Sequence, residues 1–211
     1  MNLRKNIQIL QDIVSRKGSS KVLTFSIPHV FKALQLLDKE GFVSRATFAK
    51  EIHLGEGAVK TLILHLKKAG IAESTKSGTF LTEKGKKLTN QIKNTIAKEC
   101  QVKKSSIIQG KHNHAVLLKK YSKMIRTGIE QRDYAILYGS SGCTTMIYKN
   151  EKLVFPGNER ECFPRDAKTR KYIIENLCPY EEDVIIISSS DDPFVAEISA
   201  KNSALWTIAI G

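Results

Sequence analysis

Apolar side chains return at Leu3, Ile7, Leu10 and Val14, a four-three-four spacing that Ile9 and Ile13 widen, so the chain opens on an amphipathic helix stopped near Gly18. Two turns of that spacing are too short for a coiled coil, and the stripe is free to pack on its own domain or on a second subunit. Residues 19–21 (Ser-Ser-Lys) read as a connector. Ser26 then caps a helix that Pro28 starts, with Val30, Phe31, Leu34 and Leu37 on one face and Gly41 at its end. Ser44 caps a second helix with Phe48, Ala49 and Ile52 inward, and residues 53–57 turn the chain into a third. Val59, Leu62, Ile63 and Leu66 form the inner stripe of that third helix, which Gly70 closes. Residues 71–74 and 79–81 flank a Lys76-Ser77-Gly78 tip and predict a hairpin, after which Thr82 caps a fourth helix reaching about Cys100. Three helices, a hairpin and a closing helix in this order predict a winged helix-turn-helix.

Beyond residue 100 the pattern changes. Residues 107–108, 115–118, 143–148 and 153–155 have strand character, the last two joined by the polar turn Lys149-Asn150-Glu151-Lys152. A helix is predicted over 122–138, with Ile125, Ile129, Ala135 and Ile136 as its core face, and another over 166–177. The apolar run Val184-Ile185-Ile186-Ile187 is typical of a buried strand. Residues 188–192 lead into a helix ending near Ser203, and 205–210 read as a closing strand. Strands alternating with helices predict a layered α/β or α+β domain. The expected architecture is therefore a winged-helix domain with its N-terminal and exit helices over 1–100, joined to an α/β domain over 101–211.

A chain of 211 residues has room for two such domains, each with its own core. No run of eighteen apolar residues is present to span a membrane, and residues 1–16 lack the apolar core of a secretion signal, so a cytoplasmic location is expected. The net charge of +13 is unevenly spread: residues 1–126 hold 25 Lys and Arg against 8 Asp and Glu, whereas residues 127–211 hold 9 against 13. That asymmetry points to a polyanionic partner for the front of the chain. Cys100, Cys143, Cys162 and Cys178 are too far apart for the close ligand pairs of a zinc site, and a reducing cytosol leaves them as free thiols. His112 and His114 form a lone His-x-His with no second pair, so no metal and no cofactor are expected.

Residues 27–88, followed by Gly128-Ile129-Glu130-Gln131-Arg132-Asp133, Gly142-Cys143-Thr144-Thr145 and Lys152-Leu153-Val154-Phe155-Pro156, resemble archaeal winged-helix proteins whose C-terminal domain has no assigned function. The resemblance covers most of the chain and implies a transcriptional regulator. It supplies no ligand and no catalytic residue.

Candidate DNA contacts follow from the outer face of the third helix. Gly57 and Ala58 allow close approach to a major groove, Lys60, Lys67 and Lys68 reach for phosphates, Thr61 for a base edge or phosphate, and Leu64 for a thymine methyl, with His65 flanking. Arg45 stands at the start of the second helix and Lys76 at the hairpin tip. The face lacks Arg, Asn and Gln, so affinity is expected to be mostly electrostatic and discrimination between sequences modest. In the C-terminal half, Ser188, Ser189, Ser190 and Asp191 follow a buried strand and open a helix, where α/β domains tend to bind ligands, although plain helix capping explains them better. Arg126, Arg132 and Asp133 either line an effector pocket or form a surface ion pair. The glycines at 139 and 142 precede a strand rather than a helix, which is not the setting of a phosphate loop, and no nucleophile, base and orienting group are recognisable together. The expected partners are duplex DNA, a small-molecule effector and a second copy of the chain, the dimer held by the N-terminal helix and the Leu88, Ile92 and Ile96 stripe of the exit helix; a metabolic enzyme fused to a DNA-binding domain is the competing reading.

Overall fold

Helical capping and glycine stops build the first part of the chain. In the computed structural model, which describes residues 3–15 and 23–211, α1 spans Leu3–Val14, α2 Ile27–Glu40, α3 Arg45–Ile52 and α4 Glu56–Lys68. The expected stop at Gly18 and connector at 19–21 lie outside the described residues. Ser44 Oγ accepts the backbone N–H of Thr47 to cap α3, which ends at His53 in the left-handed conformation. A hairpin, β1 (Ala72–Thr75) with β2 (Gly78–Leu81), and the helix α5 (Glu83–Lys93) complete the first of two units, which covers Met1–Ile92.

Two glycines in this unit are fixed by close approach. Val43 pairs with Thr79 through two backbone hydrogen bonds of 2.8 and 2.9 Å, adding a third chain segment to the hairpin. Gly78, beside Thr79, has a φ of +132°, and a Cβ there would lie 2.9 Å from the Val43 carbonyl oxygen. At Gly85 a Cβ would stand 2.0 Å from the Ile71 carbonyl oxygen, so only glycine lets α5 cross the start of the hairpin at this distance.

The apolar stripe of α1 is covered within the chain. Ile7, Leu10 and Ile13 are buried as α1 packs on α2 and α4, and Asn6 Nδ2 donates to Gln91 Oε1 of α5 at 3.0 Å. A dimer through this stripe would need residues that the unit's own core already uses.

The second unit, Lys93–Gly211, is a five-stranded sheet in the order β3-β4-β7-β5-β6, with every neighbouring pair antiparallel. Its strands are β3 (Ile96–Gln101), β4 (His112–Leu118), β5 (Gly142–Lys149), β6 (Lys152–Val154) and β7 (Val184–Ser190). The helices are α6 (Ile129–Ile136), α7 (Ala167–Leu177) and α8 (Pro193–Ile210), with a short 3-10 turn at Ser122–Met124. One face of the sheet, through Ala115, Leu117, Ile185 and Ile187, packs on Phe163 and on Ile173 and Leu177 of α7. Alternation turns Val116, Leu118, Val184 and Ile186 to the other face, which α8 covers with α6 beside it.

Several expectations are corrected here. The exit helix stops at Lys93, and residues 96–101, which continue its apolar spacing, are a strand because β4 supplies a hydrogen-bonding partner along their length. Ile96 therefore belongs to the sheet, and the two units meet at 92/93 rather than 100/101. Residues 107–108 form no strand; Ile108 packs into the core from a loop, and the Ile107 carbonyl accepts the Thr144 hydroxyl. Gly128, at φ +83°, separates the 3-10 turn from α6, so 122–138 is not one helix, and Ile129 and Ile136 are exposed whereas Ile125 and Ala135 are buried. Residues 205–210 continue α8 rather than forming a strand.

α8 is buried on nearly every side although it is rich in polar residues, because those residues find partners. Ser199 Oγ, Asn202 Nδ2 and Ser203 Oγ donate to the carbonyls of Tyr138, Tyr134 and Gln131, in and just beyond α6. Lys201, almost wholly buried, reaches Glu197 Oε1 at 2.5 Å and Glu99 Oε2 of β3 at 3.1 Å, and His114 Nε2 of β4 lies 3.0 Å from that same Glu99 oxygen. Burial opposes ionisation of Glu99, but the His114 hydrogen bond and the Lys201 charge outweigh it and hold its pKa at about 2, against an ordinary 4.5.

A carboxylate held below its ordinary pKa stabilises the fold above that ordinary value and loses its contribution as pH falls through the folded one. The Glu99→Gln variant is therefore expected to be less stable than wild type by about 1.5–3 kcal/mol at neutral pH. The gap should close between about pH 4.5 and pH 2. Urea midpoints measured across that range check it; a gap that stays constant with pH would assign the loss to packing instead.

Candidate nucleic-acid interface

The outer surface of α4 is set by its inner stripe: with Val59, Leu62, Ile63 and Leu66 buried, Lys60, Leu64, Lys67 and Lys68 face outward. Gly57 lies in the exposed first turn with Ala58 half-buried beside it, and a Cβ built on Gly57 meets nothing within 4 Å. Among the described residues nothing requires a glycine there. The Thr61 hydroxyl donates to the Gly57 carbonyl at 3.0 Å, leaving its oxygen as an acceptor.

Two grooves take some of these residues, and Leu64 and Lys67 line neither. Arg45 at the start of α3, Lys60 on α4 and Lys76 at the hairpin tip line one groove of about 480 Å³, with the hydroxyl residues Ser44, Ser74, Thr75, Ser77 and Thr79. Sequence patterning marks Ser44 as a helix cap and Ser77 as a turn residue and assigns none of these hydroxyls to the interface, although each is a close chain neighbour of Arg45 or Lys76. Lys68 and His65 lie instead on a groove of about 250 Å³ beside α1, with Asp12 and Lys84. His65 is tied down there: its Nδ1–H donates to the Ile13 carbonyl at 2.6 Å, and its ring meets Phe25 edge-on. It fixes α1 to α4 and is not a free contact residue.

Charge follows neither the expected boundary nor the observed one. Residues 1–92 hold 16 Lys and Arg against 7 Asp and Glu, and residues 93–126, in the second unit, hold 9 against Glu99 alone. Nearly half of the front-half excess thus belongs to the C-terminal unit.

The expected ligand residues of that unit fare differently from one another. Ser188, Ser189 and Ser190 are buried inside the central strand β7. Ser188 Oγ donates to Ser140 Oγ at 2.8 Å, and Ser189 Oγ donates to Asn113 Oδ1 at 2.7 Å. Ser190 Oγ accepts the backbone N–H of Asp192, whose carboxylate caps α8 by accepting from Phe194 and Val195; Asp191 is exposed. The sheet is antiparallel, so the strand-order crevice that binds ligands in parallel α/β sheets does not form, and these residues do structural work. Arg132 and Asp133 are an exposed ion pair at 3.2 Å. Arg126 lines a groove of about 360 Å³ with Lys123, Glu130, Gln131 and Tyr134.

The four cysteines are free thiols. Burial pushes Cys143 and Cys162 up to about 12 and Cys100 up to about 11, with Thr145 and Arg132 only partly offsetting the effect at Cys143, so these three stay protonated at neutral pH. Among the described residues no helix is long and apolar enough to cross a membrane.

Comparison with known proteins reaches both units unevenly. Residues 108–208 match a family model described as "Domain of unknown function (DUF4443)". The fold is similar to that of the solved hypothetical protein PH0730 from Pyrococcus horikoshii OT3, with a TM-score of 0.68 and 25% identity, covering 85% of this chain and 91% of that one. No curated protein matches the chain. The archaeal resemblance and the C-terminal domain without assigned function are thus found, whereas neither match names a DNA-binding regulator.

Proposed function

We propose that the N-terminal unit is a winged helix-turn-helix that binds duplex DNA, with α3 and α4 as the helix pair, α4 in the major groove and the β1–β2 hairpin as the wing. The observation that carries this reading is the groove in which Arg45, Lys60 and Lys76, from three separate elements, come together with five hydroxyl residues. Cations spaced around such a groove suit a phosphate backbone. The bare first turn of α4 also favours it. Glycine costs a helix interior roughly 0.5–1 kcal/mol relative to alanine and a first turn less, and among the described residues no contact compensates for that at Gly57, whereas a closely approaching base pair would. With no Arg, Asn or Gln on the outward face of α4, the interface recognises backbone and shape more than base edges.

The sensing role proposed for the C-terminal unit moves from Ser188–190 and Asp191 to the groove of Arg126 and Lys123. Two cations beside Tyr134 suit a small anionic effector with a planar group.

Charge reversal of Lys60 and Lys76 together (K60E/K76E) should weaken binding to any duplex by more than tenfold at low salt. It should also make the slope of log affinity against log salt shallower by about 0.9 for each phosphate that is no longer neutralised. Titration of a labelled duplex across salt concentrations reads both, and an unchanged slope would remove these lysines from the interface. Gly57→Ala should leave the fold equally stable or stabilise it by up to about 1 kcal/mol while weakening duplex binding. If the duplex affinity of that variant matches wild type, α4 does not enter the groove by its N-terminal turn. For the effector, a panel of small carboxylates and phosphates should raise the melting temperature of the wild-type chain, and R126E should abolish the shift. A shift that survives R126E would put the anion elsewhere.

A further inference from the structure

The outward face of α6 is an apolar surface with its own two-fold logic. Ile129 and Ile136 are 51% and 49% exposed, one heptad apart and therefore on the same side of the helix, and Leu137 beyond them is 74% exposed. Between the two isoleucines stand Arg132 and Asp133, whose side chains are 52% and 59% exposed. Large apolar side chains grouped on one exposed face mark an interaction site more often than scattered ones do.

The order of these residues identifies the occupant. When two identical helices pack antiparallel about a two-fold axis, residue i meets residue j and residue j meets residue i. With the axis between positions 132 and 133, Ile129 meets Ile136 of the second copy, and Arg132 meets Asp133 of the second copy. One operation makes each contact twice, giving two Ile129–Ile136 contacts and two Arg132–Asp133 pairs. The ion pair within one chain joins adjacent residues on an exposed surface and contributes little; re-pairing across the axis with the isoleucines shielding it is the better use of the same charges. We infer that the chain forms a homodimer through the α6 faces of its C-terminal units, with Ile129, Arg132, Asp133 and Ile136 as the self-complementary centre. α6 has eight residues and supplies only the middle of such an interface, which exposed Leu137 extends beyond the end of the helix. This inference stands apart from the DNA-binding reading and is tested without DNA.

Sedimentation velocity on the full chain, at concentrations up to about 100 µM, should give a dimer, as expected for a modest interface. R132E alone sets two carboxylates against each other at both symmetry-related contacts, and D133R alone sets two guanidinium groups against each other, so each variant should sediment as a monomer. Mixed in equal amounts, the two variants should form a heterodimer, because the carboxylate introduced by R132E meets the guanidinium introduced by D133R while the native Asp133 of one copy meets the native Arg132 of the other. Recovery on mixing also shows that both variants are folded. Ile136→Asp should give a monomer that no partner variant rescues. A monomeric wild type overturns the inference, as does a dimer indifferent to these changes or a pair of variants that stay monomeric when mixed.

Discussion

Complete burial of β7 is the constraint on which the C-terminal unit depends. All seven residues from Val184 to Ser190 are enclosed, so every backbone group on both sides of the strand needs a partner. β4 supplies one side over the whole length, from His112 opposite Ser190 to Leu118 opposite Val184, and β5 supplies the other. The hydroxyls at the polar end of the strand need partners for the same reason, and Ser140 and Asn113 provide them. Three serines that read as a ligand loop are therefore spent on satisfying the strand. β4 in turn requires an outer neighbour, which draws residues 96–101 out of the preceding helical pattern.

α8 faces the same demand with different means. A helix buried on almost all sides with serine, asparagine, threonine and lysine on it is stable only if those groups are paired, since an unpaired buried polar group costs about 1–3 kcal/mol. Backbone carbonyls at and beside α6 take the neutral groups, and Glu99 and Glu197 take the Lys201 charge. The consequence reaches the surface. α6 spends its inner side and its carbonyls on α8, which leaves Ile129 and Ile136 on the outside with Arg132 and Asp133 between them.

In the N-terminal unit the decisive contacts are backbone approaches. Gly78 against Val43 and Gly85 against Ile71 fix where the hairpin stands beside α3, α4 and α5. That placement is what brings Lys76 to the same groove as Arg45 and Lys60, although the three are separated by up to 31 residues in sequence. The proposed DNA-facing surface thus depends on two positions that carry no charge.

By itself, the sequence determined the local elements of the first unit. Helices α2 to α4, their caps at Ser26 and Ser44, and the hairpin tip follow from 3.6-residue periodicity and from turn chemistry, which act within a few residues. It also indicated the outward lysines of α4, since an amphipathic stripe fixes the opposite face. The tertiary structure decided what depends on distant partners. Ile92 and Ile96 share helical spacing, yet only β4 makes the second of them a strand residue; residues 205–210 have strand composition, yet they continue α8, whose Leu205, Thr207 and Ile208 are buried. His65 had the exposure pattern of a contact residue until the Ile13 carbonyl claimed its ring nitrogen. Ser188 to Ser190 had the composition of a loop, and Ile129 and Ile136 that of a core. Burial reversed both, because whether a side chain is covered depends on elements far away in the chain, and periodicity reports only that a face exists.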